Sequence, residues 1–355
     1  MKGKGKISRI HDIDDICLIR HHSVTMNIAL IKSFTDKPWR SPATYDLIEK
    51  SLSEKWQVQS LATDDQGKLY DWLDELKTEF RQNLFVFNIA EFLDEKSKKG
   101  FLPALLDEWG LPHLGSSAAT VALGLDKHET KKHLLEAGIP TPRYFVARNL
   151  DAGLAEQAEK IGFPLIVKPS LEGGHIGISD NSIIWNQDSL KEAVGRISEE
   201  YSQPSLVEEY ISGDAMREFS VGIIDGKKRL FTPIEIDYPA MDVRTPILSH
   251  ETALKDLEKI KAVGLEPIRD EIISLAEKSF LAVAARDYSR VDIRMDDKGC
   301  YVLEINIMPG LGPHSFIPES IHEQYGISYS QLIQQLTENS MTRQGYPISS
   351  SDTSL

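Results

Sequence analysis

The fold is decided by SRVDIRMDDKGCYVLEINIMPG, residues 289–310. Two alternating runs are joined by Asp-Asp-Lys-Gly, the pattern of a β-hairpin, and Gly299 supplies the positive φ that a tight turn wants. Pro309 and Gly310 stop the second run. Strict alternation predicts Tyr301, Leu303, Ile305 and Ile307 on one face, and Val302, Glu304, Asn306 and Met308 on the other. On the first strand Arg290 and Asp292 share a face. A loop of Asp297 to Gly299 sets Asp292 opposite Glu304 and Arg290 opposite Asn306; a slip of one residue would send each pair to opposite faces. That register gathers two carboxylates, an amide and an arginine on one surface. Hard oxygen donors of this kind suit Mg²⁺, which keeps several waters and usually bridges to substrate phosphates. The bland alternative is a salt-bridged strand face turned to water.

A second stretch supplies phosphate chemistry. GFPLIVKPSLEGGHIGIS, residues 162–179, reads as a strand, a lysine and a glycine-rich loop. Lys168 sits at the strand end, where an ammonium can reach phosphate oxygens. Glu172 to Gly177 form a flexible loop whose backbone N–H groups could cover a phosphate chain. The chain has neither G-x-x-x-x-G-K-[ST] nor a G-x-G-x-x-G that opens a helix. Another strand follows, so the loop joins two strands as a lid. LVEEYISG, residues 206–213, places Glu208 and Tyr210 between Val207, Glu209 and Ile211. Just after a strand, such a segment is either a nucleotide-binding hinge or ordinary strand.

Bulk properties bound the answer. At 355 residues the chain is too long for one ordinary core and implies two or three domains. The composition, 41% hydrophobic and 26% charged, is that of a soluble globular protein, and no apolar run is long enough to span a bilayer. A net charge of −14 argues against a general nucleic-acid or membrane-surface binder. Cys17 and Cys300 suggest no disulfide framework, so a reducing cytoplasm is the default.

The expected fold class is α/β. Residues 1–25 read as a flexible basic leader in which His11, His21 and His22 form no convincing metal site. An N-terminal parallel α/β unit spans 26–125, with strands at NIALI, QVQSLAT and NLFVFNIA alternating with helices. Short β runs dominate after GIPTP, giving an α+β texture to a central unit, 126–218, and a C-terminal unit, 219–340. Residues 341–355 read as a disordered tail.

These pieces, in this order, resemble the ATP-grasp superfamily, and most of all its D-alanine–D-alanine ligase branch. The resemblance runs from about Asn83 to about Ser340 and is strongest in VDIRMDDKGCYVLEINIMPGLGPHSFIP. It implies an ATP-grasp fold in which an N-terminal domain is followed by two domains clamping ATP. It also implies an ATP-dependent carboxylate–amine ligase that works through an acyl phosphate. On the matching positions Asp292, Glu304 and Asn306 would hold two Mg²⁺ ions, with Mn²⁺ as the alternative metal. Arg290, with backbone near Gly310, would stabilise a tetrahedral oxyanion, and Ser315 would contact the second substrate's carboxylate. Lys127 and Lys168 match the lysines on the ATP phosphates. Glu172, Gly173, Gly174 and His175 form the lid over them. Glu208, Glu209 and Ile211 match the adenine hinge, and Glu218 the ribose-binding carboxylate. Small-molecule carboxylate and amine substrates are implied, amino acids first among them, and a homodimer is usual in the family.

Three departures concern substrate. IALIKSFTDKPWRSP lacks the glycine-rich segment and the glutamate that hold the first amino group in ligases for D-alanine. Gly174 and His175 replace paired serines of the lid. DVRTPILSHET offers Pro246 and Ile247 where a Lys-Tyr pair stands, with Arg244 a candidate substitute for the lysine. Arg40 is read as a surface loop residue rather than a substrate ligand. The expectation is a ligase of the same reaction type with an altered first-substrate pocket. The alternatives are a genuine D-alanine–D-alanine ligase, a ligase loading a carrier protein, and a nucleotide-binding sensor without catalysis.

Overall fold

A computed structural model describes residues 26–148, 150, 153–255 and 257–346. The leader, with its histidines and Cys17, lies outside the described residues, as do 347–355 of the tail. No described helix is long and apolar enough to cross a membrane.

The first sheet is parallel, with strand order β2-β1-β3, built from β1 (Asn27–Lys32), β2 (Gln57–Ala62) and β3 (Leu84–Phe87). NIALI is apolar on both faces because helices cover both. Ile28 and Leu30 join a core with Tyr45, Ile48 and Leu52 of α1 (Pro42–Ser53). Ala29 and Ile31 face Leu69, Leu73 and Leu76 of α2 (Gln66–Phe80). Ser41 caps α1 by accepting from the Thr44 N–H (3.2 Å), and Pro42 occupies the first turn. A small hairpin, β4 (Phe92–Asp94) and β5 (Lys99–Phe101), follows, then α3 (Leu102–Glu108), α4 (Ala118–Leu125) and α5 (Lys127–Glu136).

The second sheet is antiparallel, with order β6-β9-β7-β8: β6 (Tyr144–Ala147), β7 (Leu165–Pro169), β8 (Ile183–Ile184) and β9 (Ser205–Glu209). Helices α6 (Gly153–Ile161) and α7 (Gln187–Tyr201) bury Leu165, Val167 and Val207. By alternation, Ile166, Lys168 and Glu208 are left on the opposite face.

The third sheet, order β12-β11-β10-β13-β14, is also antiparallel. It contains β10 (Arg217–Ile224), β11 (Leu230–Ile236), β12 (Ile260–Ala262), β13 (Tyr288–Met295) and β14 (Cys300–Asn306), with the short α8 (His250–Leu254) before β12. One face packs on α9 (Pro267–Ala282), through Phe219, Val221, Val291 and Ile293 against Ile272, Ala276 and Phe280. The other face carries Glu218, Ser220, Arg290, Asp292 and Arg294.

Two helices that the sequence pattern does not reveal, α10 (Phe316–Tyr325) and α11 (Tyr329–Arg343), return to the first sheet. Ile317, Ile321, Leu332 and Leu336 share one core with Ile28, Leu30 and Phe87. The start of the expected tail is instead ordered: Met341 is buried in that core and α11 continues to Arg343. Arg40 is also corrected. It is 2% exposed, not a surface residue, because its guanidinium donates to Ser33 and pairs with Glu91 (3.3 Å) and Glu95 (2.9 Å).

Gly222, mid-strand in β10, has no room for a side chain. A Cβ there would run into the Thr232 hydroxyl and come within 2.7 Å of Ile317. Gly222→Ala is expected to lower stability by about 1–3 kcal/mol through overpacking, read as an earlier urea transition with unchanged secondary structure.

Candidate active site

β13 and β14 bring the hairpin residues together in the expected pairs, Arg290 opposite Asn306 and Asp292 opposite Glu304. The route to that register is different. The last pair is Met295 with Cys300, so the turn has one residue more than expected, Asp296 to Gly299. The Asp296 carboxylate holds it by accepting from the N–H groups of Lys298 (2.8 Å) and Gly299 (3.2 Å). A bulge restores the count: Ile293 pairs with Val302 but Asp292 with Glu304, leaving Leu303 between them. The strict alternation is thereby overturned. Cys300, Val302, Ile305 and Ile307 all lie in the core, although Val302 was expected to share a face with Glu304. Leu303 and Glu304 both turn to the site, since the extra residue shifts the period by one.

Asp292 is 6% exposed and heavily bonded. Arg290 donates to both its oxygens, Nε to Oδ1 (2.9 Å) and Nη2 to Oδ2 (2.8 Å). The Asn306 amide donates to Oδ2 (2.9 Å) and the Ser220 hydroxyl to Oδ1. The Arg290 guanidinium lies over the Phe316 ring at 5.1 Å. Lys127, at the start of α5, pairs with Glu304 at 2.5 Å. Burial pushes the Glu304 carboxyl up, but the charges of Lys127, Lys168 and His175 outweigh it and hold the group well below the usual carboxylate range.

The donor set fits Mg²⁺. All three groups offer oxygen, and Asn306, whose NH₂ is spent on Asp292, keeps its carbonyl oxygen for a metal. Among the described residues no cluster of three or more His, Cys, Asp and Glu could hold an ion alone. Asn306 and oxygens from a substrate phosphate chain would complete the shell.

Two cavities meet here, and both are lined by His175 and Glu304. The narrower one lies between the second and third sheets and takes in Lys168, Glu208, Glu209, Ile211, Glu218 and Asp292. Lys168 pairs with Glu208 at 3.0 Å, so the Glu208 carboxylate points at the lysines rather than outward. Lys131, which the sequence reading passed over, also faces Glu208 (3.4 Å) and donates to Thr141 (2.6 Å). Burial pushes its ammonium down to about 8, against the pull of Glu208. Its signal was present: it stands one helical turn after Lys127.

The wider cavity, about 1200 Å³, is bounded by Lys127, Arg290, Asn306, Gly310, Ser315 and the lid residues Glu172 to His175. Gly310 must be glycine, because a Cβ would lie 2.7 Å from the Trp39 ring. Glu172 is not aimed at phosphate; it is held by Lys98 (2.6 Å) and Gln203 (2.8 Å). Gly174 and His175 have φ of +61° and +60°. Burial, the largest influence on the His175 imidazole, lowers its pKa from the ordinary value, against the pull of Glu304. Arg244 is exposed and lines neither cavity. Ile247 lines the narrow one. Missed on the wide side were Glu91 and Glu95, which reach the cavity from loops after β3 and β4.

Known proteins resemble this chain in sequence and in fold. The family described as D-ala D-ala ligase C-terminus matches residues 134–338. A D-alanine–D-alanine ligase of Hydrogenovibrio crunogenus is 33% identical over 67% of this chain and 72% of its own length. A protein of Sinorhizobium fredii, named only as uncharacterized, is 30% identical over 84% of this chain and 87% of its own. The crystal structure of D-alanine–D-alanine ligase from Bacillus anthracis complexed with ATP superposes with a TM-score of 0.71 at 22% identity, covering 90% of this chain and 98% of that one. The fold is ATP-grasp. The chain belongs to the D-alanine–D-alanine ligase-like family, whose members are ATP-dependent ligases forming carbon–nitrogen bonds.

Since folding lowers the Glu304 pKa, its ionised form stabilises the fold above the ordinary value of 4.5, and that contribution fades as pH falls below it. The gap in thermal midpoint between wild type and Glu304→Gln is therefore expected to narrow on going from about pH 6 to about pH 3, measured by circular dichroism.

Proposed function

We propose that the protein joins a carboxylate to an amine at the expense of ATP, through an acyl phosphate, and that its first substrate differs from D-alanine. The observation that carries this is the junction of the two cavities at Glu304 and His175, with Lys127, Lys168 and Arg290 around it. A nucleotide in the narrow cavity would present its terminal phosphate to a carboxylate in the wide one.

In the first half-reaction a substrate carboxylate oxygen bonds to the γ-phosphorus and ADP leaves. Lys127 and Lys168 orient the phosphates and offset their charge. Asp292, Glu304 and Asn306 would hold Mg²⁺, as one ion or two, which when bound draws charge from the phosphate oxygens. In the second half the amine bonds to the acyl carbon and phosphate departs. Arg290 faces the wide cavity and would meet the oxyanion that forms there, with backbone N–H groups near Gly310. The lid of Glu172 to Gly177 would keep water from the acyl phosphate. Ser315, in the turn entering α10, would contact the acceptor's carboxylate.

The wide cavity, about 1200 Å³, has room for both substrates beneath the lid; the departures in the first-substrate stretch are what favour an amino acid or amino-acid-like metabolite other than D-alanine. Glu91 is the carboxylate we assign to the first substrate's ammonium in place of the missing glutamate. Burial pushes its carboxyl up, and Arg40, shared with Glu95, compensates only in part. A genuine D-alanine–D-alanine ligase is the second reading, favoured by the names of several relatives.

The test is Mg²⁺-dependent phosphate release from ATP across D- and L-amino acids, singly and in pairs, with mass spectrometry of the products. Release with D-alanine alone would select the second reading and overturn the first; release only with another pair would select the first. With the active pair, Arg290→Ala is expected to retain ATP binding and lose about 100- to 1,000-fold in turnover. Glu91→Gln should raise KM for the first substrate by about 10- to 100-fold, the worth of a charged hydrogen bond, with ATP binding unchanged.

A further inference from the structure

The narrow cavity contains an arginine that the chemistry above does not use. Arg294 follows Asp292 by two residues on the same face of β13, and only 4% of it is exposed. It ties three separate segments together. Its Nε donates to Glu218 Oε2 (2.8 Å) at the start of β10. Its Nη1 donates to the Ile211 carbonyl (3.3 Å) beyond β9, and its Nη2 to the Pro246 carbonyl in the loop before α8. Its guanidinium lies 4.9 Å from the centre of the Tyr210 ring, and the Tyr210 hydroxyl donates to the same Pro246 carbonyl (3.1 Å). Glu218, Ile211, Tyr210 and Arg294 all line the cavity.

The effect on Glu218 is directional. Oε2 accepts from Arg294 and also from the Tyr238 hydroxyl (2.9 Å), whereas Oε1 accepts from no described residue. A carboxylate locked by one oxygen offers the other in a single direction. Its charge is also matched, so it need not repel a polyanionic ligand.

We propose that Arg294 is a positioning residue of the nucleoside subsite: it fixes Glu218 so that Oε1 alone meets a ribose hydroxyl, and it sets the hinge at Ile211 against the Pro246 loop. The inference rests on the narrow cavity taking the nucleotide, and it gives part of the specificity for the ribose to a residue that acts through Glu218. An arginine held by two carbonyls, a carboxylate and the rings of Tyr210 and, at 6.0 Å, Tyr238 has a merely structural alternative, that it only staples the sheets together. The two differ in whether the ribose is sensed.

The experiment is calorimetric titration of the full chain, in Mg²⁺, with a non-hydrolysable ATP analogue, its 2′- and 3′-deoxy forms, and inorganic tripolyphosphate. Arg294→Met is expected to weaken the ribo-analogue about 10- to 100-fold, the worth of a charged hydrogen bond, to shrink its preference over the deoxy forms, and to leave tripolyphosphate unchanged. Arg294→Lys should recover part of the loss. Because the arginine acts through Glu218, the double variant with Glu218→Gln should discriminate no worse than Glu218→Gln alone. If Arg294→Met does not fold, Arg294→Lys and Glu218→Gln carry the test. Wild-type ribose discrimination in a folded Arg294 variant, or additive losses in the double variant, overturns the proposal. No binding of the analogue by the wild type overturns both the proposal and the nucleotide reading beneath it.

Discussion

The site depends on one constraint, the register of β14 against β13. Antiparallel pairing lets Asp292 and Glu304 stand side by side only if the strands are in step at that point. The four-residue turn would put them out of step. The bulge at Leu303 returns the step and rotates Glu304 to the face of Asp292 and Arg290. Apolar residues on either side of the bulge still reach the core, Val302 before it and Ile305 after it. A local irregularity in backbone pairing thus reconciles a buried core with a cluster of charges.

That cluster is balanced internally. Arg290 faces Asp292, Lys127 faces Glu304, and Lys168 and Lys131 face Glu208. Buried charges are tolerable only when matched in this way. The lysine pairs also join elements distant in sequence: α5 is tied to the third sheet by Lys127 and Glu304 and to the second sheet by Lys131 and Glu208, through the same charges that would meet ATP and its metal. The depressed Glu304 pKa is the electrostatic trace of that arrangement.

The N-terminal unit is tied to this junction from the other side. α10 and α11 share a core with β1 and α1, and Trp39 packs on Gly310. The loops that follow the first sheet are therefore held against β13 and β14 by hydrophobic burial. Lys98 on the β4–β5 hairpin reaches the lid at Glu172, so the same unit also contacts the loop that covers the site.

The residues alone determined a good deal. Alternating strands and helices, the lysine with its glycine-rich loop, and the R-x-D hairpin with E-x-N were legible because each of these signals is local, set by side-chain period and turn chemistry. The ATP-grasp reading came from the resemblance that these motifs carry together. In IALIKSFTDKPWRSP the sequence showed only the absence of a motif. Which side chains gather nearby only the tertiary structure decided. Arg40 became a buried partner of two glutamates, Glu91 reached the wide cavity from the loop after β3, Lys131 packed against Glu208, and Arg294 entered the narrow cavity. These positions follow from burial and charge matching between segments far apart in the chain. Sequence period carries no record of such pairings, because the desolvation that makes them necessary exists only once the chain has folded.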